Sequence, residues 1–256
     1  MTLRLSAGLR NYVNADGSIK GALHNGVINI YSGAQPATAD AAPTGTLLAS
    51  ITAASASRTA EVLATGTMTL SGSAGSVNSV LVNSVNIIDA SVPFNTNLTQ
   101  TIADLADMIN NSRSAPDYTA TGAGAVLTIT AQRGTGSSPN GFVVTCTYTT
   151  LTGTYTNMTG GVTAANGLRM GTSTAGVLTK NSTQVWSGVA GASGTAGWFR
   201  FSGSVADSGI IDSVGSEVRL DGAIATSGAQ LNMSSTTITS GATQTISSFP
   251  LTLPTS

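Results

Sequence analysis

The sequence predicts a mainly β protein: a β-sandwich or jelly-roll-like domain interrupted by a small α+β domain with one helix on a sheet. Three observations lead there. Short runs rich in Val, Ile and Thr recur between Gly, Asn, Ser and Pro clusters, the pattern of strands and turns. Only 8% of the 256 residues are charged and 30 are Gly, against about 25% charged in an ordinary soluble domain. One segment alone, residues 99–112, carries a strong helical stripe. Disorder is excluded for most of the length, because the apolar fraction is 41% and the formal net charge −1, whereas disordered chains are polar and charged.

The N-terminus reads as a short helix capped by Ser6, with Leu9, Tyr12 and Val13 on one face. The turn chemistry of NADGS, residues 14–18, stops it, and a second helical turn covers Ile19 to Leu23. Strands follow at Val27 to Tyr31 and Thr46 to Thr52. Between them runs a connection of Gly, Ala, Pro and Thr with one charge, Asp40. Pro36 and Pro43 remove backbone donors and favour extended geometry before them. It is read as an ordered surface loop docking on a neighbour, or as a solvent loop within one subunit.

From residue 53 the composition changes. GTMTLSG, residues 66–72, alternates as a strand, and residues 77–88 form a hairpin with its turn near Asn83 and Ser84. In the helix over 99–112, Ile102, Leu105, Ala106 and Ile109 make the apolar stripe, with Thr99 or Thr101 as cap. Asp104 and Asp107 then share its solvated side. Pro116 ends the element, and strands are expected at Tyr118 to Thr121, Ala125 to Ala131 and Gly141 to Tyr148. A hairpin, a helix and further strands make a compact α+β unit. After residues 158–167 the pattern of the first fifty residues resumes, with strands at Gly167 to Met170, Gly197 to Phe201, Glu217 to Leu220, Gln230 to Met233 and Gln244 to Leu253. The division is therefore 1–52 and 164–256 for the host β-domain and 53–163 for the insert. Trp198 and Phe199 must point to opposite faces of their strand.

The chemistry-bearing residues are few. The single histidine, His24, precedes Asn-Gly at a turn and reads as an exposed loop residue. One Cys and one His cannot close a tetrahedral zinc site. Cys146, alone and set among alternating apolar residues, reads as a buried small hydrophobe. Asp207, Asp212, Glu217 and Asp221 could suggest calcium, but their spacing fits no EF-hand loop. GTGSSPNG, residues 134–141, lacks the Lys of a phosphate loop and reads as a turn. No GxSxG is present and no acid, base and nucleophile assemble, so no enzyme activity, cofactor or metal is expected. No basic stripe points to nucleic acid, and no stretch of about 20 apolar residues could span a membrane.

IYSGAQPATADAAPTGTLL, AGWFRF and the final DGAIATSGAQLNMSSTTITSGATQTISSFPLTLP together resemble a family of tailed-bacteriophage virion proteins. The resemblance covers roughly 1–52 and 164–256. GTMTLSG, IADLADMIN, DYTATGAGAVLTITAQRGTG, NGFVV and MTGGV are similar to a small domain inserted in phage tail and fibre proteins. What the resemblance implies is a structural protein of the virion, made in the host bacterial cytoplasm. The foremost expectation is a capsid decoration or cement protein, partnered by the major capsid protein and by neighbouring copies of itself as a homo-oligomer. A tail, baseplate or fibre-associated component is the alternative. A carbohydrate-binding module would need exposed aromatics, for which Trp186 and Trp198 are the only tryptophans. The expected interface or core-supporting residues are Tyr31, Gln35, Pro36, Asp40, Pro43, Trp198, Phe199 and Arg200.

Overall fold

The computed structural model describes residues 3–252. It is mainly β, with several antiparallel sheets and three helices among the described residues. The chain divides into two compact units: residues 1–60 with 164–256, and residues 61–163. The first crossing falls at Ala60/Glu61 rather than at residue 53, which is still inside the strand Leu47–Ala53.

In the first unit, Ser6 caps helix α1 (Ala7–Ala15), its Oγ accepting from Leu9 N at 3.1 Å. Ser18 caps the short α2 (Ile19–Ala22) in the same way. Such caps satisfy amides that a helix's first turn leaves without partners. The main sheet runs in the order Arg4–Leu5, Arg219–Ala225, Gly194–Ser202, Val27–Ser32, Leu47–Ala53, Trp186–Val189, Thr243–Ile246. Leu231–Asn232 pairs in parallel with Arg219–Ala225, and Thr237–Ile238 joins Gly194–Ser202. A three-stranded sheet of Met170–Thr174, Val177–Lys180 and Leu251–Thr252 shares its core. The expected strand from Gln244 breaks in two at residues 247–250, where Pro250 interrupts the ladder, and its expected end, Leu253, lies outside the described residues.

Alternation builds the core. Ile28, Ile30, Phe199, Phe201 and Leu220 point to one side of the main sheet and meet Trp186 and Phe249. Phe249 packs near-perpendicular to Phe199 and Phe201, with ring centroids 5.5 and 5.8 Å away. The opposite side of the same strands carries Tyr31, Trp198, Arg200 and Asp221, and these too are buried. A sheet buried on both faces needs a second cover, and that cover is made of loops.

The second unit holds two four-stranded antiparallel sheets and helix α3 (Leu98–Asn111). One sheet contains Ser76–Val82, Val85–Asn86, Val92–Pro93 and Val144–Thr149; the other contains Thr65–Ser71, Tyr118–Ala123, Val126–Ala131 and Thr152–Thr159. Helix α3 buries Ile102, Leu105, Ala106 and Ile109 into one core with Met68, Val80, Leu127 and Ile129. Asn97 is the cap, not Thr99 or Thr101; its Oδ1 accepts from Gln100 N at 2.9 Å. Thr101 is buried inside the first turn, its Oγ1 donating to the Asn97 carbonyl at 2.9 Å. The hairpin turn sits at Asn83 and Ser84, both with positive φ (48° and 69°), as a two-residue hairpin turn demands. Val62 and Val162 exchange backbone hydrogen bonds of 3.1 and 2.9 Å, so the unit's two ends leave side by side. An insertion with paired ends lets its host fold around a closed gap.

Cys146 lies on Val144–Thr149, half-buried, with its Sγ 3.0 Å from Met68 Sδ. Burial pushes its thiol up to about 12, against a smaller opposing pull from the Tyr148 hydroxyl. The thiolate is the reactive species, and at pH 8 it is roughly one part in ten thousand at such a pKa. Thiol titration with a disulfide reagent at pH 8 is expected to run at least about 100-fold faster in denaturant than in the native state. Equal rates would place Cys146 in solvent.

Candidate functional site: a buried charge network under two surface loops

The face of the main sheet opposite the apolar core holds the most concentrated set of charges in the first unit. Arg200 lies directly across from Asp221 in the strand register. Their side chains form two parallel bonds of 2.8 Å, from Nε and Nη2, with both residues essentially inaccessible. One residue pair along, Arg219 donates to Asp207 from Nη2 at 2.6 Å and from Nε at 3.0 Å. Forked pairing of this kind suits the planar guanidinium.

Buried guanidinium groups need more acceptors than one carboxylate offers, and the loops supply several of them, although Arg200 Nη1 is buried without a partner. Arg200 Nη2 reaches the Ala39 and Ala41 carbonyls at 3.1 and 3.0 Å. Arg219 Nη1 reaches the Asp40 carbonyl at 3.2 Å, and its Nη2 reaches the Ile210 carbonyl at 3.0 Å. Trp198 Nε1 donates to the Thr44 carbonyl at 3.2 Å. The Trp198 ring stacks on Tyr31 with centroids 4.5 Å apart, and the Arg200 guanidinium sits 5.6 Å from the Trp198 centroid. The connection from Gly33 to Thr46 is thus clamped onto its own sheet. Gly45 closes its base at φ +79°, where an added Cβ would lie 2.0 Å from the Ser32 carbonyl oxygen.

Burial raises the Asp221 carboxyl, and Arg200 pulls it back down. Burial lowers Arg200, but Asp221 more than compensates and leaves it raised. Two parallel bonds at 2.8 Å favour the charged pair. At Asp207 burial pushes up, yet the hydrogen bonds of Arg219, Gly209 and Ser202 hold the carboxyl below its usual range. At Asp212 burial also pushes up, and the backbone amides of Glu217, Ser216 and Gly215 win. Those amides donate at 2.8, 3.2 and 2.9 Å.

These placements change several expectations. Trp198, Phe199, Arg200 and Tyr31 are buried within the unit and Pro36 with them, so inside one chain they present no surface to a partner. Phe199 is core; Tyr31, Trp198 and Arg200 support the loop. Gln35, Asp40 and Pro43 are half-buried, and Asp40 is engaged: its Oδ1 accepts from Ala7 N at 2.8 Å and its carbonyl from Asp212 N at 2.7 Å. The Ala39, Asp40, Ala41 and Thr44 carbonyls are taken up by Arg200, Arg219 and Trp198, so these four are engaged within the unit and the connection is ordered on its own sheet. The carboxylates considered for calcium are taken by protein donors: Asp207 by Arg219, Asp221 by Arg200, Asp212 by backbone amides and Glu217 by Ser208 N. Among the described residues no group of three His, Cys, Asp or Glu could hold a metal. Trp186 and Trp198 are both fully buried, so neither offers a face for a sugar. His24 is exposed at its turn.

The ion pairs escape sequence reasoning, although their signal is present. In a chain with so few charges, Arg200 in WFRF and Arg219 and Asp221 in RLD stand at alternating positions of otherwise apolar strands. Alternation puts Arg219 and Asp221 on one face of their strand and Arg200 beside Trp198 on one face of its own; only the cross-strand register says that Arg200 meets Asp221.

A similar economy governs residues 134–141 in the second unit. Glu61 is buried, and its Oε1 accepts from the amides of Gly134 and Gly136 at 2.8 and 2.9 Å. Amides that could cradle an anion are thereby already held by a carboxylate. Glu61→Ala is expected to cost about 1–3 kcal/mol by leaving those donors buried without an acceptor, with hydrogen exchange accelerating at residues 134–141. Unchanged exchange there would mean that Glu61 does not hold the loop.

No helix among the described residues is long and apolar enough to cross a membrane. Comparison with protein-family models, with curated proteins and with solved structures finds no match to this chain.

Proposed function

We propose that the chain is a non-enzymatic structural protein of a tailed-bacteriophage virion, acting as a decoration or cement protein that stabilises the head through contacts between subunits. The observation that carries this reading is how the polar chemistry is deployed. The charged clusters of the first unit hold its own loops down, while aliphatic side chains, Ile210, Ile211 and Val214 foremost, are left in solvent. That is the arrangement of a contact surface rather than of a reaction centre. The residue-level resemblance of 1–52 and 164–256 to virion proteins points the same way. The partners of this reading are the major capsid protein and further copies of the chain. Many repeated contacts on a shell add stability to the assembled state by mass action.

The test is the position of the chain in a cryo-EM map of the particle that carries it. Density on the outer shell is the expected result. Density along the tail or at its tip would replace the cement reading with the tail, baseplate or fibre reading, which the insert's resemblance to tail and fibre modules favours. Absence of the chain from purified particles would overturn both.

A further inference from the structure

The segment from Gly203 to Val218 is built inside out. Its carboxylates Asp207 and Asp212 turn toward the protein, while Ile210, Ile211 and Val214 face solvent. Asp212 turns inward and gathers the amides of Gly215, Ser216 and Glu217. Arg219 holds the Ile210 carbonyl from below. Between these anchors Ile210, Ile211 and Val214 are 64, 65 and 82% exposed. Folding gains nothing from leaving three such side chains in water on a pinned loop, whereas a partner would gain an apolar knob already held in shape. The loop carries Asp207, Asp212 and Glu217 and no cation.

The same unit has a matching hollow. A groove of about 680 Å³ is floored by Leu5, Val13, Ile19, Leu178 and Leu251. The charged residues lining it are Arg10 and Lys20, both exposed cations. Knob and groove flank one helix, α1. Gly8 lets the loop close against it, since a Cβ there would lie 2.4 Å from the Glu217 carbonyl oxygen, and Asn11 Nδ2 donates to the Gly215 carbonyl at 3.5 Å. Arg10, Val13 and Asn14 of the same helix line the groove.

We propose that this is a self-complementary docking surface, in which the Ile210–Ile211–Val214 knob of one copy enters the apolar groove of a second copy. The occupant is argued from charge as well as shape: Asp207 is neutralised by Arg219 and Asp212 is turned inward onto backbone amides, which leaves half-buried Glu217 as the acid beside the knob that meets a groove rimmed by Arg10 and Lys20. Because knob and groove both border α1, a two-fold axis near that helix would exchange both at once, the geometry of an isologous dimer. The inference goes beyond the virion reading and is tested on the purified chain, so that either can fail alone.

Sedimentation velocity over a concentration series is the experiment. The full chain is expected to associate reversibly. Ile211→Ser, at a position 65% exposed, is expected to weaken association by about 30-fold or more while leaving the far-UV spectrum unchanged. Glu217→Lys is expected to weaken it and Lys20→Glu, added to Glu217→Lys, to restore it. A chain carrying Val13→Cys and Ile211→Cys is expected to form a covalent dimer on oxidation, which neither single cysteine variant forms. A chain that stays monomeric at about millimolar concentration, where even weak encounters register, overturns the proposal. So does association that survives Ile211→Ser. If association appears only after residues 253–256 are removed, the chain's own end fills the groove and the proposal is wrong. A monomer found on the shell would sink the dimer and keep the virion reading; a dimer absent from the particle would do the reverse.

Discussion

Asp221→Ala is expected to destabilise the first unit by about 3–5 kcal/mol, the cost of leaving a buried cation without its partner. Arg200 is about 1% exposed and Asp221 not at all. Removing the carboxylate takes both 2.8 Å bonds from the guanidinium and leaves it the loop carbonyls and the Trp198 ring. Those acceptors carry no charge and cannot replace a carboxylate in a site closed to water. Since an ordinary domain holds about 5–15 kcal/mol in all, thermal unfolding should show the first unit melting well before the second. Asp221→Asn keeps the shape and tests charge alone, and is expected to fall between wild type and Asp221→Ala. A loss under about 1 kcal/mol for Asp221→Ala would show that water reaches the pair.

The double replacement Arg200→Met with Asp221→Leu separates stability from placement. Replacing both members of a buried pair by apolar groups is often neutral or stabilising, so most of the loss should be recovered. The connection from Gly33 to Thr46 should not recover with it. It would lose the two bonds that Arg200 makes to Ala39 and Ala41 while keeping Trp198 and Arg219. Faster hydrogen exchange at residues 39–41 in a chain of near-normal stability is the expected signature. It would assign the ion pair to fixing one loop conformation, since an apolar pair could supply the burial but no donors.

The elements that local rules govern are legible in the sequence. The Ser6 cap, the apolar stripe of α3 and the Asn83–Ser84 turn each depend on residues within a few positions of one another. Thr152–Thr159 is not legible, because TGTYTNMT has no apolar face strong enough to announce a strand; it exists through pairing with Thr65–Ser71. Trp186–Val189 likewise owes its strand to neighbours on both sides. The site is half legible. Arg200, Trp198, Tyr31 and Asp40 are residue types suited to a partner, and they do make contacts, but within their own unit. Asp207 and Asp221 look like ligands for a cation, and each has one, an arginine supplied by the same chain. Residue type announces the charge; sequence distances of 12 and 21 residues hide which arginine will answer it.

Arg219→Met is expected to cost about 3–5 kcal/mol as well, through the charge left on Asp207, and to loosen both loops at once. Arg219 is the side chain that bonds the Asp40 carbonyl on one loop and Ser208 and Ile210 on the other. Its loss should raise hydrogen exchange across 38–42 and 206–212 together, where the Arg200 double variant moves 39–41 alone. Acid supplies an independent check with a definite sign. The Asp207 and Asp212 carboxyls are held below their usual range. Their contribution is complete above the unfolded value, about pH 4, and is lost as pH falls through the lowered folded values. Asp221, raised by burial against the pull of Arg200, acts in the opposite sense and offsets part of that loss. Calorimetry from about pH 6 down to about pH 2.5 should therefore find the melting temperature of the first unit falling below about pH 4. In Arg219→Met, Asp207 no longer has the cation that depresses it, so the acid slope should flatten while Asp212 keeps the remainder. An identical slope in both chains would mean that the Arg219–Asp207 pair does not couple to folding. The apolar knob would then be held by Asp212 alone, and Arg219→Met should leave association between copies untouched.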